Sequence, residues 1–286
     1  MNPLLRIAIQ KSGRLQEESL KLLKESGLHF NNGKDQLKTQ SENFPVEVLF
    51  LRDDDIPQYV EDKVADVGIV GENVFAEKQK QNELIRPLGF ARCRLSIAVP
   101  RSEKYSGAQW LQGKNIATSY PNIVKGFLIK NKIEAGIHEI SGSVEIAPGI
   151  GLADAICDIV SSGSTLQSNG LKEAEVVMNS EAVLIATPKL EKEKKEILDE
   201  LIFRIQAVQV AKDNKYILMN CPNDAIERIT QVIPGMKSPT ILPLKKEGWS
   251  SLHSVVDEND FWKKINQLKS LGAEGILVVP IEKMIV

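Results

Sequence analysis

Short, continuously apolar runs alternate with helical stretches along most of this 286-residue chain. The runs are Arg6–Ile9, Val46–Leu51, Asp66–Val70, Arg94–Val99, Asn115–Ser119, Ile137–Ile140, Glu175–Met178 and Ala182–Ala186. Strands without polar alternation are buried on both faces, and alternation with helices argues a mostly parallel sheet covered on both sides. The length exceeds one usual domain, so two or three are expected. A second α/β unit starts near Cys93. Lys189–Ala211 has Ile197, Leu198, Leu201, Ile202, Ile205 and Val208 at helical spacing, and Asp213-Asn214 ends it at a domain boundary. From there on the order reads strand, helix, strand, strand, helix, strand, which is ferredoxin-like.

The stretch Glu145–Leu171 concentrates the chemistry. Leu152, Ile156, Ile159 and Val160 recur at helical spacing, so Gly151–Val160 is expected to be a helix with Asp154 and Asp158 one turn apart. Ser161-Ser162-Gly163-Ser164-Thr165 follows, a small-residue run able to turn N–H and O–H donors toward one anion. A short helix at Leu166–Asn169 would add its dipole. Carboxylates beside an anion cradle suit a ligand with a phosphate at one end and hydroxyls in the middle, such as a ribose 5-phosphate; a bare helix and a Ser/Gly loop is the other reading. Lys11-Ser12-Gly13-Arg14, between a strand and a helix, is a second possible anion site or a plain turn. Some of Asp53-Asp54-Asp55, before Ile56-Pro57, are expected to cap a helix.

Composition narrows the partners. Net charge is −2, so neither nucleic acid nor membrane is expected as a partner. Cys93, Cys157 and Cys221 match no zinc or disulfide spacing, and no run of 18 apolar residues occurs. With no apolar leader in MNPLLRIAIQKSGR, a cytoplasmic protein is expected.

The order Glu145, Gly151, Ala153, Ile156, Asp158, Ile159, Ser162, Gly163, Thr165, Leu166 resembles the signature of the ATP phosphoribosyltransferase family, long form, which opens histidine biosynthesis. The resemblance runs through KSGR, SYPN, Pro234-Gly235, Ser238-Pro239-Thr240 and the closing VPIEK, essentially the whole chain. It implies a two-lobed, periplasmic-binding-protein-like catalytic core with a C-terminal ACT-like regulatory domain. Residues 1–92 and 182–212 would form lobe I, 93–181 lobe II with the phosphoribosyl loop, and 213–286 the regulatory domain.

The resemblance also implies the chemistry. ATP would attack phosphoribosyl pyrophosphate through adenine N1, with Mg²⁺ on the departing pyrophosphate. Asp154, Asp158 and Glu145 would be catalytic. Asp154 with Ser161, Ser162, Gly163, Ser164 and Thr165 would bind phosphoribosyl pyrophosphate. Lys11, Gly13, Arg14, Glu72 and Tyr120 would bind ATP, Tyr120 either stacking on the base or packing the cleft wall. Asn220, Met236, Ser238, Thr240, Val255 and Gly275 would bind the inhibitor histidine, in a homo-hexamer exchanging with dimers. No metal ligands are singled out. Other phosphoribosyltransferases carry two adjacent acids on a strand before the loop; here the acids are read along a helix. A non-catalytic two-lobed binding or regulatory paralogue is the alternative, and retention of Ser161–Thr165 argues against it.

Overall fold

A computed structural model of the chain describes residues 3–31, 36–161 and 163–286. The chain divides into two compact units, one from residues up to Lys21 with Leu28–Leu198, the other from Leu22–Gly27 with Asp199–Val286.

The first unit holds two sheets. Its elements are β1 (Leu5–Gln10), α1 (Arg14–Glu25, entering the second unit at Leu22), β2 (Lys38–Gln40), β3 (Val46–Leu51), α2 (Ile56–Glu61), β4 (Val67–Gly71), α3 (Glu72–Lys78) and β5 (Glu83–Pro87). Then come β6 (Cys93–Pro100), β7 (Asn115–Thr118), α4 (Pro121–Asn131), β8 (Gly136–Glu139), β9 (Ala155–Val160), α5 (Ser164–Ser168), β10 (Leu171–Ser180), β11 (Ala182–Ala186) and the start of α6 (Lys192–Asp213). One sheet runs β2-β3-β1-β4-β11-β5 and the other β10-β6-β9-β7-β8. Because β11 returns to the first sheet, each sheet forms one lobe and the chain crosses between them twice.

Both sheets are mixed, which corrects the expectation of mostly parallel pairing. β3, β1 and β4 are mutually parallel, as are β9, β7 and β8, but β11 opposes β4 and β6 opposes β9. The reason is the double crossing. β6 and β11 begin at the edge where the parallel strands end, so they must run the other way.

A second correction concerns Gly151–Val160, which is no helix. After a turn, Ala155–Val160 is β9. Ala155 and Cys157 enter one apolar cluster, Ile156 and Val160 the other. Spacing of four serves a strand as well as a helix, since positions 152, 156 and 160 also share a strand face. The β-branched run Ile156, Ile159, Val160 between glycine-rich turns decides for the strand.

The second unit contains the rest of α6, β12 (Asn214–Pro222), α7 (Ile226–Val232), β13 (Thr240–Pro243), β14 (Trp249–Asp257), α8 (Glu258–Ser270) and β15 (Glu274–Pro280). The sheet order is β13-β14-β12-β15, all antiparallel. Alternation is clean: Ile217, Met219, Cys221, Leu252 and Val256 face Ile229, Phe261 and Leu268 of the two helices. Asp257 caps α8, accepting from the N–H groups of Asn259 at 2.9 Å and Asp260 at 3.1 Å. Among the described residues no helix is long and apolar enough to cross a membrane.

The close approach of α2 to β4 depends on Gly68. A Cβ there would stand 2.6 Å from Ile56 Cγ2 and 3.1 Å from Val60 Cγ2. Gly68→Ala should therefore cost about 1–3 kcal/mol by overpacking, read as a lower denaturant midpoint; an unchanged midpoint would contradict this packing.

Candidate active site

The parallel strands β1, β3 and β4 end at Gln10, Leu51 and Gly71; β7, β8 and β9 end at Thr118, Glu139 and Val160. The crossings lie beside these ends: Ala182 pairs with Gly71, and Ser180 with Cys93. Both lobes thus offer strand carboxyl ends at the crossover, where open α/β sheets bind ligands.

In lobe II, β9 leads through Ser161 to Gly163, whose φ of 80° is left-handed, and Gly163 is the N-cap residue of α5. A side chain is strained in that conformation, so glycine belongs there. Ser164 and Thr165 stand exposed in the first turn of α5, while buried Leu166 anchors it to Val160 and Leu171. Ser162 lies outside the described residues. Arg94 on β6 donates to the Ser161 carbonyl at 3.3 Å and pairs with Glu173, which also accepts from Ser96 Oγ at 2.8 Å. The pairing holds Arg94 above and Glu173 below their ordinary ranges, chiefly through their own hydrogen bonds. Arg94 was missed from sequence. Its partners lie far along the chain, and no spacing rule connects them.

Asp158 is near the carboxyl end of β9. Burial pushes its carboxyl up; the Ile159 N–H opposes this at 2.8 Å, and the Glu145 charge adds to it. Glu145, in a turn at Val144–Ile146, therefore shares a field with Asp158. Asp154 does not join them. It sits before β9, accepting the Asn115 N–H at 2.8 Å with Lys114 Nζ at 4.0 Å. The length of β9, roughly 20 Å for six residues, separates Asp154 from the loop. Asp154 precedes the strand and Asp158 lies within it near its carboxyl end, so the two are not on one side of a helix.

In lobe I, Lys11 and Gly13 lie exposed between β1 and α1, Arg14 stands exposed as the first residue of α1, and Gly13 has φ 90°. Arg14 pairs with Glu18 at 3.0 Å, and Glu18 accepts the Ala91 N–H at 2.9 Å. Glu72 opens α3, its N–H bonded to the Glu181 carbonyl at 2.9 Å. None of the three aspartates after β3 makes the expected cap: the turn Asp53–Asp55 and α2 both start without a side-chain hydrogen bond. Asp53 turns inward instead. Its Oδ1 is buried without a partner among the described residues, and burial first, then Asp54, raises its carboxyl to about 6, with Lys78 opposing. Tyr120 faces the same space. Burial pushes its phenol up, Asp158 adds to this, the Asn73 hydrogen bond opposes it, and Asp54 and Asp53 contribute further. Carboxylates of both lobes thus act on one hydroxyl.

The effector candidates lie in the second unit. Thr240 pairs with His253, Asn220 with Ser251 and Tyr216 with Val255, so Thr240, Asn220 and Val255 share the sheet face away from the helices. A Cβ on Gly275 would stand 3.3 Å from Asn220 Nδ2. Met236 and Ser238 are in the segment before β13, Met236 half exposed. The same face holds a chain from Tyr216 through His253 to Ser251, at 3.0 and 2.9 Å.

Asp53 gives a pH test. Its folded-state value lies above the unfolded 3.8, so its contribution is fully present below about 3.8 and lost as pH rises through about 6. Asp53→Asn should be more stable than the parent above pH 6, by up to about 3 kcal/mol, and lose that advantage below pH 4. Denaturation at both pH values checks this; equal stability at pH 8 contradicts it.

Residues 52–207 match the family profile described as ATP phosphoribosyltransferase, and 211–283 the profile described as HisG, C-terminal domain. The chain is 63% identical over 285 residues to the ATP phosphoribosyltransferase of Cytophaga hutchinsonii, covering 100% of both chains. To that of Bacteroides fragilis it is 61% identical over 283 residues, covering 99% of this chain and 100% of the other. Among solved structures, the ATP phosphoribosyl transferase (HisG:HisZ) complex from Thermotoga maritima aligns at TM-score 0.60 and 26% identity, over 71% of this chain and 99% of that one. A histidine kinase sensor domain with similarity to periplasmic binding proteins aligns at TM-score 0.50 and 11% identity, over 73% of this chain and 91% of that one, a likeness of fold alone. The two profiles and the full-length relatives together show that the chain belongs to the ATP phosphoribosyltransferase family, in the long form that carries the C-terminal domain.

Proposed function

We propose that the protein joins ATP to phosphoribosyl pyrophosphate, giving N1-(5-phosphoribosyl)-ATP and pyrophosphate, and so commits material to histidine biosynthesis. The observation that best supports this is that β9 carries Asp158 two residues before its end at Val160 and leads directly into the loop at Ser161–Thr165. One strand then serves both the ribose and its 5-phosphate. Adenine N1 donates its electron pair to C1 of the ribose while the C1–O bond breaks toward pyrophosphate. No protein nucleophile is needed; alignment and charge stabilisation carry the step. Asp158, with Glu145 behind it, faces the cationic ribosyl carbon. Gly163, Ser164, Thr165 and the flanking Ser161 and Ser162 hold the 5-phosphate. Lys11, Gly13 and Arg14 take the ATP phosphates, with Glu72 and Tyr120 along the nucleotide. Asp154 has a structural part, tying β7 to β9 through Asn115.

Among the described residues no three His, Cys, Asp or Glu side chains gather to hold a metal. Asp158 and Glu145 are hard oxygen donors, which suits Mg²⁺, an ion that keeps waters and binds through one or two carboxylates plus substrate phosphates. When bound it would offset charge on the departing pyrophosphate. The parts divide as lobe I (1–92, 182–212), lobe II (93–181) and a regulatory domain (213–286). Histidine would bind at Asn220, Met236, Ser238, Thr240, Val255 and Gly275, acting by a shift of conformation or of a dimer–hexamer equilibrium in the cytoplasm. A non-catalytic paralogue finds no support: the full-length relatives carry an enzyme's name.

Pyrophosphate release from phosphoribosyl pyrophosphate, assayed with a panel of nucleotides, should require ATP; release with none of them overturns the reading. Asp158→Asn should lower kcat by about tenfold or more, a loss of 1.4 kcal/mol, while Asp154→Asn stays within about twofold. The reverse ranking would restore Asp154 to the chemistry. Ser238→Ala combined with Thr240→Ala should keep activity and lose histidine inhibition; inhibition equal to the parent's would exclude this effector site.

A further inference from the structure

Tyr120 projects from lobe II, but its hydroxyl is held from lobe I. Its ring packs in the lobe II cluster, and its N–H donates to Thr118 Oγ1 at 2.9 Å. Asn73, buried in the first turn of α3, donates Nδ2 to Tyr120 Oη at 3.0 Å. The orientation of that amide is set by Ser180 beside the crossing. Ser180 Oγ accepts the Asn73 N–H at 3.0 Å and gives its own proton to Asn73 Oδ1 at 2.9 Å. With the amide oxygen so used, the nitrogen must face Tyr120. The phenol oxygen therefore accepts, and its own proton is left over. Among the described residues the hydroxyl donates no hydrogen bond of its own. A hydroxyl that accepts one bond from Asn73, in the field of Asp158 and Asp53, keeps its own proton free to donate to a ligand.

The surroundings keep the donor in place. One turn along α3, Glu77 is buried and accepts the N–H groups of Asn122 and Ile123, each at 3.0 Å. Asn122 Nδ2 returns a bond to the Glu77 carbonyl at 3.0 Å. α4 begins at Pro121 with Tyr120 in the cap position and no side-chain cap of its own. The orphan N–H groups of its first turn are thus satisfied by the other lobe. The placement of Tyr120 is decided by α3, in two contacts one turn apart.

We propose that Asn73, backed by Ser180, is a positioning residue for the transfer: it turns the Tyr120 hydroxyl so that its proton is donated to an acceptor atom of the bound nucleotide. This rests on the reading that Tyr120 lines the ATP site. Tyr120 then acts through its hydroxyl, beyond any stacking of its ring.

The test is a double-mutant cycle of Asn73→Ala and Tyr120→Phe, with KM and kcat measured for ATP and for phosphoribosyl pyrophosphate. Tyr120→Phe should raise KM for ATP by about tenfold, the worth of one hydrogen bond, with little change in KM for phosphoribosyl pyrophosphate. Asn73→Ala should do the same, and the double variant should be no worse than Tyr120→Phe alone. Losses that multiply in the double variant, or an Asn73→Ala enzyme like the parent, overturn the proposal. A Tyr120→Phe enzyme like the parent also overturns it, by showing that the hydroxyl does not serve the nucleotide, while nucleotide-dependent pyrophosphate release would leave the activity standing. If Asn73→Ala does not fold, Ser180→Ala takes its place in the cycle, with the same direction of effect and the same non-additivity expected.

Discussion

Burial of β9 on both faces fixes the site. Ile156 and Val160 on one side and Cys157 on the other leave the strand no freedom to slide or rotate. Thr118 Oγ1 bonds the Cys157 carbonyl at 2.7 Å, and Arg94 reaches the Ser161 carbonyl just beyond. The turn that follows therefore starts from a rigid point. Gly163 adopts its left-handed conformation there, and α5 begins directly after it. A loop that is to wrap a phosphate, as proposed, has to be held at its base, and β9 would supply that base.

The electrostatics of the cleft follow from how its charges are partnered. Arg94 is matched by Glu173 and contributes to structure. Asp53, Asp54 and Asp158 act on the Tyr120 phenol and Glu145 on Asp158, and the Asp53 and Asp158 carboxyls and the phenol are all pushed up, first by burial; Asp54 pairs with Lys78 at 3.6 Å. Such a field repels phosphates and favours a cationic or hydroxyl-bearing group. In the proposed function, phosphates would be met at the periphery, by Lys11 and Arg14 on one side and the loop before α5 on the other. That separation suits a sugar with a phosphate at its far end and a nucleotide with its phosphates pointing away.

Much of the fold was legible in the sequence, because burial on both faces leaves a simple signature. The runs Val46–Leu51 and Ala182–Ala186 were read with the observed bounds. The order of elements after Asn214 was legible too, as alternating faces announce a half-covered sheet. The mistake at Gly151–Val160 came from a spacing that two periods satisfy. Strand direction was not legible, because it depends on the double crossing, which no local pattern encodes. Nor were the long-range partners: Arg94 with Glu173, Asn73 with Ser180, and Glu77 with α4 join residues that only the tertiary fold brings together. In the proposed site, the loop and Glu145 are singled out by the family resemblance alone, whereas the inward turn of Asp53 needed coordinates.

The central claim is that the carboxyl end of β9, with Asp158 and the loop to Thr165, receives the phosphoribosyl group. A crystal structure of the protein with phosphoribosyl pyrophosphate bound tests this most directly. The account predicts the 5-phosphate within hydrogen-bond distance of the N–H groups of Gly163–Thr165 and the ribose hydroxyls beside Asp158. Density for the ligand at the Asp154 end of β9, with the Ser161–Thr165 loop empty, would contradict it.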